Sequence, residues 1–95
     1  MRQTELFPLT DFVKYHTDNP HIYEEIVNIA KSLKRAGRTH YGMKGIFEKL
    51  RFDHAISGND SFKINNNYTP HYARLVMVMN PDLKGFFELR KKTTA

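Results

Sequence analysis

The chain has 95 residues, 40% of them apolar, with seven Phe and five Tyr, enough for one domain around one modest core. It contains no cysteine, which excludes disulfides and thiolate metal sites, and its longest apolar runs are a few residues, too short to span a membrane. The net charge of +5 is unevenly spread: residues 1–30 hold two basic and five acidic side chains, residues 31–51 hold seven basic and one acidic, and residues 52–95 hold six and four.

The first residues and the tail after Lys91 are expected to fray, leaving an ordered core over about residues 8–91. A short helix is expected from about Pro8 to His16, with Leu9, Phe12 and Val13 as its apolar contacts. Asp18-Asn19-Pro20 then stops one helix and starts another. Asn19 suits the N-cap, Pro20 the first turn, and Glu24 and Glu25 the positive end of the helix dipole. In the second helix Ile22, Ile26, Ile29 and Leu33 recur at helical spacing, and Gly37 ends it after about Ala36.

Arg38 to Tyr41 reads as a connector holding at most a minimal strand. Met43, Ile46, Phe47 and Leu50 give a third helix, from about Met43 to His54. Ser57-Gly58-Asn59-Asp60 marks a turn. Phe62-Lys63-Ile64 alternates and suits a very short strand or the approach to the next helix. Tyr72, Leu75, Val76 and Met79 form one face of a fourth helix over about Thr69–Met79, which Asn80-Pro81-Asp82 stops. Gly85 to Arg90 then reads as a terminal strand, with Phe87 and Leu89 inward. The core is expected to contain Ile26, Leu33, Phe47, Leu50, Tyr72, Leu75 and Phe87.

This order gives a mainly α fold with a short terminal β element. It is compatible with a winged helix-turn-helix, in which Met43–His54 supports and Thr69–Met79 recognises. Two features depart from that pattern. The link between the two helices is roughly a dozen residues, against the usual three or four, and only one terminal strand is evident. A small helical domain with a β appendage is the alternative.

Three groups of residues are candidates for binding nucleic acid. The link Phe62–Tyr68 feeds a Thr-Pro helix start, and helix N-termini are suited to phosphates. Within it, Asn65, Asn66 and Asn67 can bond adenine edges, Tyr68 can stack on bases, and Lys63 adds charge. The alternative for the asparagines is turn and capping chemistry. In the fourth helix, His71 and Arg74 lie off the apolar face, and Arg74 can grip a phosphate or guanine. Its alternative is an ion pair with Asp53 or Glu88. Arg38 and Lys44 belong to the basic block Lys31, Lys34, Arg35, Arg38, Lys44, Lys49 and Arg51, and can meet a phosphate backbone without reading sequence.

Five histidines, His16, His21, His40, His54 and His71, form neither HxxxH nor HExxH. There is no P-loop and no G-x-S-x-G. No cofactor, metal or enzymatic activity is implied. The start MRQTELFPLT lacks the apolar stretch of a signal peptide, so the cytoplasm is the expected compartment.

The strings N-P-H-I-Y at 19–23, F-K-I-N-N-N-Y at 62–68, Y-A-R-L at 72–75 and G-F-F-E-L-R at 85–90 resemble a family of small uncharacterised proteins of bacteriophage and prophage genomes. The resemblance spans roughly residues 19–90. It implies a phage or bacterial origin, an intracellular setting in the host cell, and no catalytic residues to carry over. It leaves two roles open: a small double-stranded-DNA binder, which the basic block favours, or an interaction module that inhibits a host complex.

Overall fold

A computed structural model describes residues 9–59 and 61–87. Most of these lie in four helices: α1 Leu9–Asp18, α2 Pro20–Arg35, α3 Met43–Ile56 and α4 Thr69–Met79. Single 3-10 turns, Asn66–Tyr68 and Pro81–Leu83, flank α4. The chain is thus mainly helical, with helix positions that follow the apolar periodicity. α1 and α3 each run two residues past their expected ends.

The helix ends are set by local chemistry. At the α1–α2 junction Pro20 occupies the first turn of α2. Asn19 does not cap α2 with its side chain, as its position suggests. Its Nδ2 donates back to the Tyr15 carbonyl at 3.0 Å and closes the end of α1. After α2 the chain reverses at Gly37, where φ is +101°, a region that side-chain-bearing residues seldom enter. The Arg38 N–H then reaches the Leu33 carbonyl and the Gly37 N–H the Lys34 carbonyl, both at 3.0 Å. This paired closure satisfies carbonyls that a helix end leaves open. Gly58 repeats the device after α3, with Asn59 N–H on the His54 carbonyl at 2.9 Å.

The core is where these helices meet. α2 contributes Ile22, Ile26 and Ala30; α3 contributes Met43, Ile46, Phe47 and Leu50; α4 contributes Tyr72, Ala73 and Val76. Ile26, Phe47, Leu50, Tyr72 and Phe87 are buried, as expected. Leu33 and Leu75 are only partly buried. Leu33 sits in the last turn of α2, where few neighbours overhang it. α4 turns its small Ala73 inward, which rotates Leu75 to the flank and leaves Met79 61% exposed. Val13 of α1 is likewise outward, because Phe12, Tyr15 and His16 form the packed face.

α1 is held by aromatic packing. Phe12 lies edge-on to Tyr72 at 4.8 Å between centroids, with the His71 ring stacked on it at 5.1 Å. Burial pushes the Tyr72 phenol well above its ordinary pKa, and its hydroxyl has no hydrogen-bond partner among the described residues. The β structure of the described residues reduces to one parallel bridge between Tyr41 and Phe87, with Tyr41 N–H on the Phe86 carbonyl at 3.1 Å. Residues 88–90 of the expected terminal strand, Leu89 among them, lie outside the described residues, as does Asp60.

Candidate functional site

The candidate residues fall in two places. One is the link of residues 57–68, folded against the second half of α3. Arg51 organises it: its guanidinium donates to the Ile64 carbonyl at 2.9 Å, to Asn66 Oδ1 at 2.7 Å, and to Glu48 at 2.9 Å. Tyr15 donates from its hydroxyl to the Lys63 carbonyl at 2.8 Å, tying the same link to α1. Burial raises the Tyr15 pKa, which keeps that donor protonated. The Phe62 ring lies flat on His54, 4.0 Å away, and His54 Nε2 meets Glu25 at 3.0 Å.

These anchors sort the link residues. Asn65 Oδ1 accepts the Asn67 N–H at 2.8 Å and caps the 3-10 turn, which is the turn chemistry open to asparagine. Asn66 is engaged by Arg51. Tyr68 is half-buried between Phe12 and Tyr15, so its ring is not a free stacking platform. His71 is partly buried on Phe12. The side chains of Lys63 and Asn67 stay exposed. Arg74 is exposed on α4 and makes no ion pair among the described residues; Asp53 is held instead by Lys49 at 3.2 Å.

The second place is the end of the molecule where α2 stops and α3 starts. Lys34, Arg38 and Lys84 surround a shallow groove of about 310 Å³ with Gly37, Thr39 and Phe86. Asp82 is also on its wall. Its carboxylate approaches Lys31 at 3.9 Å, and its backbone carbonyl accepts from Lys34 Nζ. Lys44 projects from the first turn of α3, which carries no acidic residue. Gly45 lets the Tyr41 ring lie over that turn: a Cβ there would come within 3.0 Å of the ring. The closure at Gly37 and the Tyr41–Phe87 bridge therefore fix the backbone that presents Arg38 and Lys44.

The basic block of the sequence is thus divided. Arg51 clips a loop, Lys49 and Lys31 face carboxylates, and Arg35 donates to Ser32 Oγ at 3.2 Å. Arg38 and Lys44 remain at one end, beside Lys34, whose Nζ meets the Asp82 backbone carbonyl but keeps its charge there, and Lys84. Lys84 is not a candidate on sequence grounds. It arrives because the Pro81–Leu83 turn sets Asp82 against Lys31 and Lys34 of α2, and no local pattern signals that. Among the described residues no cluster of three His, Cys, Asp or Glu side chains is placed to hold a metal ion. No helix among them is long and apolar enough to cross a membrane.

Comparison with protein-family models, with curated proteins and with solved structures returns no match.

Proposed function

We propose that the protein is a small DNA-binding protein of phage or prophage type that engages the phosphate backbone with the end formed by Lys34, Arg38, Lys44 and Lys84. The observation carrying this reading is that Lys34, Arg38 and Lys84 line one groove, with exposed Lys44 in the first turn of the following helix, while Asp82, the one carboxylate among the described residues that line the groove, lies 3.9 Å from Lys31. Converging cations attract a polyanion and release its counterions on contact. Such contacts position a protein on a duplex, and Arg74, Lys63 and Asn67, exposed elsewhere, are the side chains left to touch base edges.

We read the order of the elements as winged-helix-like, a fold that agrees with duplex binding. α2, Tyr41, α3, α4 and Phe87 follow the order of that fold, and the Tyr41–Phe87 bridge joins the first connector to the C-terminal segment. The bridge is parallel and isolated, and the link between α3 and α4 spans residues 57–68, so the likeness is in order rather than in turn geometry. Titrating a duplex into isotopically labelled protein tests the proposal. The amides of Arg38, Lys44 and Lys84 should shift first. Shifts confined to α1 would move the interface elsewhere.

A second reading, an interaction module that binds a protein, is favoured by one specific observation. The outward side of α4 is apolar rather than polar toward its C-terminal end, where Val78 is 74% exposed.

A further inference from the structure

We propose that the apolar groove beside the C-terminal end of α4 is a docking site for an acidic, apolar-faced segment of another protein. This deepens the second reading above and shares only Lys84 with the surface proposed for the duplex. The groove measures about 580 Å³ and is lined by Met77, Val78, Pro81, Lys84, Gly85 and Phe87. Beside it Met79 is 61% exposed, so the last turn of α4 offers water three consecutive apolar side chains, two of them largely uncovered. A helix end that only faces solvent gains nothing from Met-Val-Met. Contiguous exposed apolar surface of this kind marks interaction sites, and methionine adapts to varied partners.

The occupant follows from the charge at the rim. Lys84 belongs both to this groove and to the neighbouring one that holds Lys34 and Arg38. Among the described residues no carboxylate lines this groove; Asp82 lines the neighbouring one and lies 3.9 Å from Lys31. The apolar floor therefore opens onto a cationic margin. A second copy of this chain packing about a two-fold axis would set these cations against themselves, because such an interface repeats the same patch on both sides. A duplex brings the complementary charge and no apolar side chains to fill the floor. A peptide segment with two or three apolar residues flanked by Asp or Glu satisfies both features.

The test selects from a displayed library of random twelve-residue peptides on the full chain, then measures the enriched peptides by fluorescence anisotropy and amide shifts. The expected peptides carry at least two apolar residues and a net negative charge, and perturb the amides of Met77, Val78, Gly85 and Phe87. Val78→Lys should weaken them at least tenfold with an unchanged Tm, and Lys84→Glu should weaken them about as much. Duplex affinity of Val78→Lys should not fall, because the change removes no cation, so a failure here and a failure of the DNA reading remain distinguishable. No enrichment, basic or wholly polar winners, or binding indifferent to Val78→Lys overturns the proposal. So does concentration-dependent self-association that shifts the groove amides, duplex titration that shifts Met77 and Val78 on the floor rather than Lys84 on the rim, or a lowered Tm of Val78→Lys, which would mean the chain covers its own groove.

Discussion

Arg51 separates a structural role from a nucleic-acid role within the basic block, and Arg51→Met isolates it. Methionine keeps most of the apolar stem and removes the guanidinium. The variant loses two charge-assisted bonds to the 57–68 link, to the Ile64 carbonyl at 2.9 Å and to Asn66 Oδ1 at 2.7 Å. Hydrogen bonds to charged groups contribute roughly 1.5–3 kcal/mol each when sheltered. The Arg51 side chain is 32% exposed, so both are discounted for solvent screening. The pair with exposed Glu48 adds at most about 0.5 kcal/mol. The expected net cost is about 2–3 kcal/mol, a fall in Tm on the order of 10–20 °C for a domain of this size. Urea unfolding followed by circular dichroism reads it, with Lys49→Met as the control. Lys49 makes only an exposed pair with Asp53 and should cost less than about 0.5 kcal/mol. An Arg51→Met loss as small as the control's would mean that the link is held by its apolar anchors alone, and Arg51 would return to the list of cations open to a polyanion.

Three further outcomes are expected. Leu50→Ala, at a site with 1% exposure, should cost about 2–5 kcal/mol by denaturant unfolding; a loss under about 0.5 kcal/mol would remove it from the core. Tyr72→Phe removes a buried hydroxyl that has no partner among the described residues, and should stabilise by about 1 kcal/mol. Because burial raises that phenol's pKa, the folded state keeps a proton the unfolded chain releases. The associated stability is complete below about pH 10 and is lost as pH rises further, so Tyr72→Phe should flatten the alkaline decline in Tm. Arg74→Ala should leave Tm nearly unchanged, and should weaken specific duplex binding by about 1–3 kcal/mol if the side chain meets a base; unfolding instead would make Arg74 a structural residue.

The helices were legible because their causes are local. Ile22, Ile26, Ile29 and Leu33, or Met43, Ile46, Phe47 and Leu50, repeat within one element, and Asn19-Pro20 and Gly37 punctuate it, although Ile29 and Leu33 are only partly buried. The rotation of each helix was less so. Nothing in the order Tyr72-Ala73-Arg74-Leu75 says that α4 turns Ala73 inward and leaves Leu75 at the flank, because that depends on how closely α2 and α3 approach. The terminal β element reached only one bridge, Tyr41 to Phe87, within the described residues. The candidate site was legible in composition and not in assembly. The excess of cations over residues 31–51 is visible in the chain. That Arg51 would be spent on Ile64 and Asn66, and that Lys84 would join Lys34 and Arg38, depends on contacts between residues far apart in sequence. Asn65 shows the same limit in reverse: capping and base contact use the same amide, and only the fold around it tells them apart.

The central claim, that the end carrying Arg38 and Lys44 tracks a phosphate backbone, is tested most directly by duplex affinity across a salt series. Each neutralised phosphate contributes roughly −0.9 to the slope of log K against log salt for B-form DNA. The wild-type protein should therefore bind more weakly as salt rises. Arg38→Ala with Lys44→Ala should flatten the slope by about two units, alike for all sequences, without lowering Tm, since both side chains are exposed. A slope the double variant leaves unchanged, or no duplex binding by the wild type at low salt, would contradict the account.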